Sequence, residues 1–460
     1  MNRVWIGLLL AACSTGNTDS SPAEVAPMTP PPHPRPHARA ADAPPGEMDL
    51  VGERADHPKS ILIVSWDTVR HDMSGIDENP GIRALQAQGM TFTKAMTHFP
   101  ETGISHWSMM TGVLPEVHGN VPGSGGSRYR GPTLAEIAKE MGYSTAAFIG
   151  GITLTDQATG MGRGFDVYDD QWDWMRKDVR PGAELVDRAS AWMSRQEEPF
   201  FAFVHFFEAH HPYEAKPGFE QRVQPGPRAP EVEREVANYK SEIAYLDSLL
   251  PALLDAAGED AVVVLTSDHG ESFEHDYLYN HRESLWESTL HIPMVIRGPG
   301  LEPASRSDRL VGLTDVLPTV LELAGLPVES KIHGQSMLSE DSTREFVFAM
   351  TDPWSGGKKM FAVRGDPQKA LWGASDEVLA FDLNNDPEEL APLDSVPDTL
   401  IEAKEAYNQL IARSSAIQHP ERPSRFRPAD EIQQLEALGY VGTPSAPDER
   451  PRPEGPPLPQ

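Results

Sequence analysis

Two acidic positions stand directly after apolar runs that have the composition of buried β-strands. Asp67 follows the run 61–66, and the pair Asp268-His269 follows the run 261–267. The carboxyl ends of parallel strands meet at one edge of a sheet, where ligands bind. Carboxylate oxygens and an imidazole nitrogen can together hold a divalent cation. The pattern indicates an open metal site, although an acidic residue after a strand could also simply cap the next helix.

Short apolar runs alternate with amphipathic stretches along most of the chain. The runs that predict buried strands are 61–64, 145–148, 200–204, 261–265 and 293–296. Helical periodicity covers 133–141, 183–194, 232–257 and 315–324. This alternation predicts an α/β fold, with a mostly parallel sheet flanked by helices. Beyond about residue 345, shorter runs and dense turns predict a smaller C-terminal antiparallel α+β subdomain, with helices near 399–413 and 430–438.

The chain has a strongly acidic composition. Its 460 residues contain 39 Lys and Arg against 69 Asp and Glu, which gives a formal net charge of −30. Nucleic-acid binding relies on clustered cationic contacts, so this charge argues against a nucleic-acid partner. The simplest interpretation of the charge as a whole is solubility.

The N-terminal residues have the composition of a signal peptide. An Arg at position 3 is followed by a short apolar run that ends in Leu-Ala-Ala-Cys at Cys13, the only cysteine of the chain. This run is too short to span a bilayer. It resembles the bacterial lipoprotein box, which implies a lipid on Cys13 and a place in the bacterial cell envelope. Because Ser14 follows the cysteine, the expected membrane is the outer membrane. The alternative is an ordinary signal peptide with a chance cysteine.

Composition also predicts the domain boundaries. A signal peptide and lipobox at 1–13 precede a Pro-rich disordered tether at 14–58, which has nine prolines between Pro22 and Pro45. The main domain then covers 59–345 and the smaller subdomain covers 346–442. A Pro-rich tail, 443–460, is expected to be disordered.

The segment 102–112, Thr-Gly-Ile-Ser-His-Trp-Ser-Met-Met-Thr-Gly, resembles the nucleophile segment of the sulfatases, a branch of the alkaline phosphatase superfamily. Other segments continue the resemblance in family order over roughly 59–442. The resemblance implies an alkaline-phosphatase-like mixed sheet and ester hydrolysis. It also implies metal ligation by Asp67, Asp268 and His269, which match the family's metal segments.

Thr102 occupies the position of the sulfatase nucleophile, a cysteine that is oxidised to formylglycine. Threonine cannot take that route, and Cys13 leaves no other cysteine to replace it. A hydroxyl needs a base or a metal to lower its pKa, so Thr102 is predicted both as nucleophile and as a further metal ligand. Water can hydrolyse the resulting phospho-threonine, whereas a sulfo-threonine would be harder to clear. The alternative is that Thr102 only caps a helix.

Three histidines match active-site positions of the family. His106 falls on the family's Arg and is expected to hold the nucleophile or a substrate oxygen. His210 is a candidate to stabilise or protonate the leaving group, and His281 to bind the non-bridging oxygens. A lone histidine is usually structural, and we expect His118 and His205 to be so.

The sequence departs from the usual arylsulfatase pattern in ways that favour phosphate chemistry. The Lys-Trp-His motif expected after the strand at 145–148 is absent, since Ile-Gly-Gly-Ile stands there. An Asp-His metal pair is more typical of phosphoester-cleaving relatives, where zinc or manganese is common, whereas many sulfatases bind calcium. The predicted cofactor is therefore a divalent cation, which could be Ca, Mn or Zn.

The leading prediction is a metal-dependent ester hydrolase that cleaves phosphate mono- or diesters, or transfers a phosphoryl group, through Thr102. Its substrate would be a small-molecule, glycan or lipid ester. One alternative is a sulfuric ester hydrolase that works without formylglycine. The other is a non-catalytic surface binding protein, against which the retained metal ligands argue. The sequence predicts no oligomeric state.

Overall fold

The computed structural model describes residues 48–120, 127, 129–172, 179–275, 278–339, 344–351, 359–373 and 377–414. The signal peptide with Cys13, the tether up to residue 47, the helix predicted near 430–438 and the C-terminal tail all lie outside these residues. None of the helices in the described ranges combines the length and the apolar character that a membrane crossing requires.

The described residues form fifteen strands and ten α-helices. The strands are β1 (Leu50–Val51), β2 (Ile61–Trp66), β3 (Met90–Met96), β4 (Ser144–Ile149), β5 (Val167–Asp169), β6 (Phe200–Phe206), β7 (Val262–Ser267), β8 (His291–Ile292), β9 (Met294–Arg297), β10 (Ser305–Gly312), β11 (Val328–Glu329), β12 (Val347–Met350), β13 (Phe361–Arg364), β14 (Gln368–Trp372) and β15 (Val378–Asp382). The helices are α1 (Pro80–Gln86), α2 (Thr102–Thr111), α3 (Pro115–His118), α4 (Leu134–Glu140), α5 (Asp156–Thr159), α6 (Gly182–Met193), α7 (Pro230–Ala257), α8 (Glu287–Leu290), α9 (Val316–Ala324) and α10 (Asp398–Ser414).

A mixed, mostly parallel sheet forms the centre of the molecule, as predicted. Its strand order is β10-β3-β9-β7-β2-β6-β4-β5, and β8 pairs with β3 beside β9. The run from β7 through β2, β6 and β4 to β5 is parallel, while β9 is antiparallel to both of its neighbours. The predicted strands and helices in the described residues are confirmed, with ends that shift by up to two residues.

The strand β2 shows why the centre of the sheet is apolar on both faces. Ile61 and Ile63 contact one hydrophobic core, which includes residues of α2, α4 and α9. Leu62 and Val64 contact a second core, which includes residues of α1, α6 and α7. Side chains alternate between the two faces of a strand, so a continuous apolar run is required when helices cover both faces.

The helix α2 lies directly under the carboxyl edge of this sheet, and every one of its residues is buried. Glu101 precedes it as the N-cap, and its carboxylate accepts a hydrogen bond from the backbone N–H of Ile104 at 2.9 Å. Gly112 ends the helix with a left-handed backbone, φ +68°. The helix-cap interpretation of Thr102 is therefore wrong: Glu101 is the cap, and Thr102 is the first helical residue.

The long helix α7 supports the sheet edge through two polar side chains. The hydroxyl of Tyr239 donates to the carbonyl oxygen of Thr68 at 2.7 Å and accepts from the N–H of Arg70 at 2.9 Å. The carboxylate of Asp247 accepts from the N–H groups of Gly81 and Ile82, at 2.8 and 2.7 Å, in the first turn of α1. Both contacts fix the chain that leaves β2.

The strands β12 to β15 form the predicted antiparallel sheet, and a buried ionic network connects it to α8. The ammonium group of Lys369, a fully buried side chain, lies 3.1 Å from a carboxylate oxygen of Glu287 and 2.7 Å from one of Glu389. Arg364 donates to the other oxygen of Glu287 at 3.2 Å. The network therefore joins the C-terminal sheet to the segment that follows His281.

Replacing Lys369 by methionine should destabilise the protein by about 3 kcal/mol, because a buried ion pair that loses one partner leaves an uncompensated charge. Urea unfolding followed by circular dichroism measures the effect. Lys331→Met is the control, since its pair with Asp49 at 3.4 Å is exposed and its loss should cost less than about 1 kcal/mol. Equal unfolding midpoints for the two variants would contradict the prediction.

Candidate active site

The two predicted acidic ligands stand side by side because their strands are neighbours in register. In the parallel pair β2 and β7, Trp66 lies opposite Ser267. Asp67 and Asp268 are therefore the next residue of each strand, at the carboxyl edge, and both are fully buried. Burial raises the pKa of both carboxyls well above the usual value, and the proximity of Asp67 raises that of Asp268 further. Such a pair favours a bound cation, which stabilises the charged form.

Asp67 uses its two carboxylate oxygens differently. Oδ2 accepts hydrogen bonds from the hydroxyl of Thr102 at 3.2 Å and from Nε2 of His205 at 3.0 Å. Oδ1 is buried and has no hydrogen-bond partner within the described part of the chain.

Asp268 and His269 each present one further atom of the same kind. Oδ1 of Asp268 accepts from the N–H groups of Thr68 and His269, at 3.1 and 2.9 Å. Oδ2 is buried without a hydrogen-bond partner in the described residues, and it lies 3.4 Å from Nε2 of His269. Nδ1 of His269 donates to the carbonyl oxygen of Gly270 at 2.9 Å, so Nε2 carries the lone pair. Nε2 is likewise buried without a hydrogen bond there.

These three residues could hold a cation. One ligand atom from each of Asp67, Asp268 and His269 lies within 4.8 Å of the others. A buried polar atom without a partner is costly, and three in one place require a common explanation. Two carboxylate oxygens and an imidazole nitrogen are a donor set that fits a divalent cation. The structure thus brings together the three ligands predicted from the sequence.

Thr68 holds this arrangement in a strained backbone conformation. Its φ of +61° lies in the left-handed region, which β-branched residues rarely adopt. The conformation directs its N–H to Asp268 and its carbonyl oxygen to Tyr239, while its hydroxyl donates to the carbonyl oxygen of Ala209 at 2.7 Å. Strain of this kind persists where the surroundings fix it, and it concentrates at functional sites.

The predicted nucleophile Thr102 begins α2, and its hydroxyl donates to Oδ2 of Asp67. The side chain is fully buried beside the three candidate ligands. The position combines a hydroxyl, a carboxylate that can accept its proton and a helix N-terminus, which favours negative charge. It suits a group that becomes negatively charged during a reaction.

His106 lies one turn along α2, and both of its ring nitrogens contact the protein. Nδ1 donates to the carbonyl oxygen of Thr102 at 2.6 Å, and Nε2 accepts from the hydroxyl of Ser65 at 2.9 Å. Burial holds the pKa of the ring well below its usual value, so the ring is neutral. Two roles were predicted for His106, to hold the nucleophile or to hold a substrate oxygen. The Nδ1 contact ties the ring to the backbone of the predicted nucleophile. A direct bond to a substrate would require one of the two contacts to break.

The other two predicted histidines lie together above the candidate metal ligands. The His281 ring stacks on the His269 ring at 4.2 Å between centroids, and the His210 ring meets the His281 ring edge-on at 5.5 Å. Nδ1 of His210 donates to the carbonyl oxygen of His211 at 2.8 Å. Burial lowers the pKa of both His210 and His281 to about 3. An anionic substrate beside them would raise these values and allow proton donation.

Sequence reasoning missed Glu271, which connects these segments. One oxygen of this fully buried carboxylate accepts from the Tyr213 hydroxyl at 2.8 Å. The other accepts from the N–H of Ser272 at 2.9 Å and lies 3.4 Å from Nδ1 of His281. Burial raises the pKa of Glu271. The sequence signal that could have identified Glu271 is its position three residues after the candidate ligand Asp268.

The predictions for His118 and His205 have different outcomes. His118 contacts Ser108 at 3.0 Å and the N–H of Asn120 at 3.1 Å, which is consistent with a structural role. His205, predicted to be structural, bonds directly to the candidate ligand Asp67. A histidine inside an apolar strand gave no signal of this contact, which depends on the pairing of β6 with β2.

Comparison with known proteins finds relatives among the arylsulfatases. A curated relative, arylsulfatase K of Xenopus laevis, is 24% identical in an alignment 454 residues long. The alignment covers 77% of this chain and 83% of the relative. Arylsulfatase K of Bos taurus is 31% identical over 183 residues, 34% of each chain.

Solved structures have the same fold. The phosphonate monoester hydrolase of Agrobacterium radiobacter superposes with a TM-score of 0.65 at 20% identity, over 78% of this chain and 96% of its own. A protein solved in complex with its substrate D-glucosamine-2-N,6-O-disulfate also gives 0.65, at 16% identity, over 80% of this chain and 100% of its own. The family model described as Sulfatase matches residues 59–326. The chain therefore belongs to the sulfatase family, whose members are ester hydrolases.

Proposed function

We propose that this protein is a metal-dependent hydrolase of phosphate mono- or diesters, or a phosphoryl transferase, and that Thr102 is its nucleophile. The observation that carries the proposal is the bond from the Thr102 hydroxyl to Oδ2 of Asp67, beside three buried ligand atoms that have no hydrogen bond within the described residues. The substrate would be a small-molecule, glycan or lipid ester.

Asp67, Asp268 and His269 would hold the cation through Oδ1, Oδ2 and Nε2, and Thr102 is the predicted further ligand. A bound divalent cation lowers the pKa of a nearby hydroxyl and stabilises charge on phosphoryl oxygens. The donor set is compatible with Ca, Mn or Zn. Manganese or zinc is favoured by the imidazole, which suits these metals better than calcium.

The side chains of the site support a two-step reaction. As Oγ1 of Thr102 bonds to phosphorus, its proton passes to Oδ2 of Asp67, and the bond from phosphorus to the leaving oxygen breaks. His210 would donate a proton to that oxygen, and His281 would contact the non-bridging oxygens. In the second step the oxygen of a water molecule bonds to phosphorus and one of its protons passes to His210. The bond from phosphorus to Oγ1 breaks, and Oδ2 of Asp67 returns its proton to Oγ1, which restores the Thr102 hydroxyl.

Phosphate is favoured over sulfate by the nucleophile itself. A formylglycine hydrate expels sulfate with its second hydroxyl, and threonine has no second hydroxyl. Sulfuric ester hydrolysis remains the second candidate function, because the curated relatives are arylsulfatases and one structural neighbour has a disulfated sugar as its substrate.

A substrate panel tests the choice between these functions. The purified full chain would be assayed in detergent with 4-nitrophenyl phosphate, bis(4-nitrophenyl) phosphate and 4-nitrophenyl sulfate, each with Mn²⁺, Zn²⁺ or Ca²⁺. We expect kcat/KM to be highest for one of the phosphate esters. A higher value for the sulfate would overturn the proposal in favour of the second candidate.

We also propose that the protein is anchored to the bacterial outer membrane by a lipid on Cys13, which places the active site in the cell envelope. The support is the Leu-Ala-Ala-Cys sequence that follows a short apolar run. Cys13→Ser should move the protein from the membrane to the soluble fraction after cell lysis, whereas the unchanged chain sediments with membranes. Unchanged sedimentation of the variant would refute the anchor.

A further inference from the structure

His205 lies near the end of β6, and its side chain reaches Asp67. In the parallel pair β2 and β6, His205 lies opposite Ser65, two residues before Asp67. Its Nε2 lies 3.0 Å from Oδ2 of Asp67. An ionised carboxylate only accepts hydrogen bonds, so His205 is the donor in this contact.

The surroundings of His205 fix the direction of that bond. The ring is fully buried. It stands perpendicular to the His106 ring at 5.1 Å between centroids, and the Phe203 ring lies 6.5 Å away at a shallow angle. A ring packed on several sides cannot turn without disturbing the core, so the donor remains directed at Asp67.

The bond makes the two oxygens of Asp67 inequivalent. Oδ2 receives two donors, from His205 and Thr102, whereas the buried Oδ1 receives none within the described residues. A carboxylate can bind a cation through one oxygen or through both. Because both contacts fall on Oδ2, only Oδ1 is left to ligate, and Oδ2 remains available for the Thr102 proton.

We propose that His205 is a positioning residue, which holds Oδ2 of Asp67 beside Thr102 and prevents this oxygen from binding the cation. His205 acts through Asp67 and touches neither the substrate nor the cation. The inference deepens the proposed function and rests on it for the identity of the nucleophile. It separates the two tasks of Asp67: Oδ1 ligates the cation, and Oδ2 receives the proton.

Two variants of His205 and one matched control test the proposal in the full chain. His205→Leu keeps bulk but removes the donor, and His205→Gln replaces the ring with an amide that can donate. His118→Gln removes another fully buried histidine that bonds to Ser108 and Asn120 rather than to Asp67. Melting temperatures of all three show whether each variant folds.

With the best substrate of the unchanged chain and Mn²⁺, His205→Leu should lower kcat by about 10- to 100-fold, as loss of an outer hydrogen bond to a metal ligand commonly does. KM and bound manganese per chain should stay within about threefold of the unchanged chain. On a logarithmic scale, the kcat of His205→Gln should lie at least halfway from that of His205→Leu to that of the unchanged chain. His118→Gln should leave kcat unchanged. An unaltered kcat in His205→Leu, or equal losses in the Leu and Gln variants, would overturn the proposal.

A measurement without turnover separates failure of this inference from failure of the proposed function. Crystals of the manganese-loaded full chain should show the ion on Oδ1 of Asp67 alone, and those of His205→Leu should show it on both oxygens. The same single-oxygen contact in both proteins would refute the role of His205, whatever ester the enzyme cleaves. If the enzyme preferred the sulfate ester and the ion still moved from one to both oxygens of Asp67 in His205→Leu, only the phosphate assignment would be refuted.

Discussion

Replacing Thr102 by alanine is expected to lower kcat for phosphate esters by at least about 10³-fold, as removal of a catalytic nucleophile does in other hydrolases. Its hydroxyl is the group that bonds to Oδ2 of Asp67, so the variant has no oxygen to attack phosphorus. Folding should be little affected, because Glu101 caps the helix and the variant loses about one hydrogen bond, worth roughly 1 kcal/mol. Steady-state kinetics and melting temperature measure the two effects.

Thr102→Ser and Thr111→Ala are the matched controls. Serine keeps the attacking hydroxyl and should retain activity within about tenfold. Thr111 lies at the other end of α2, fully buried, and donates to the carbonyl oxygen of Trp107 at 2.5 Å, so its loss should not change kcat. Mass spectrometry of acid-quenched turnover should find phosphate on Thr102. Full activity of Thr102→Ala would show that the reaction has no threonine intermediate.

Replacing Asp268 by asparagine should weaken manganese binding by at least about 100-fold and lower kcat in proportion at limiting metal. The amide oxygen can still accept from the N–H groups of Thr68 and His269, as Oδ1 does now. The atom that replaces Oδ2 becomes an NH₂ group, which cannot ligate a cation. Metal content by mass spectrometry and titration with a chelator measure the change.

In metal-free protein, by contrast, Asp268→Asn should increase the stability of the fold. Asp67 and Asp268 are adjacent buried carboxyls, each with an oxygen that has no hydrogen bond in the described residues. Removing one charge should raise the melting temperature of chelator-treated protein by roughly 2 °C. Asp247→Asn is the control, since it weakens the cap on α1 and should lower stability without loss of metal. Loss of stability and retention of metal in Asp268→Asn would together exclude Asp268 as a ligand.

The sequence predicted the centre of the fold because that region has a simple composition. Strands such as β2 and β7 are buried on both faces, so they are continuous apolar runs. The strands β3 and β10 were not predicted. Met90–Met96 mixes Thr and Lys with apolar residues, and Ser305–Gly312 begins with five polar residues and lies at the sheet edge. Their pairing is a tertiary effect that local composition does not encode.

The candidate site was predicted to the extent that it depends on the position of residues in the chain. Asp67, Asp268 and His269 follow apolar runs, and the carboxyl ends of parallel strands meet. The contacts of His205 and Glu271 depend instead on which strands are neighbours and on how the loops fold back. The contact on Nε2 of His106 likewise follows from the approach of Ser65, 41 residues earlier in the chain.

The register between β2 and β7 also has a consequence for folding. Asp67 and Asp268 meet only when Trp66 lies opposite Ser267. A slip of one residue would turn one of the two side chains to the other face of the sheet. A ligand that binds one alignment stabilises that alignment alone, by RT ln(1 + [L]/Kd). The cation that serves the chemistry would therefore also select the correct pairing of strands, and misaligned forms of the sheet would gain nothing from its presence.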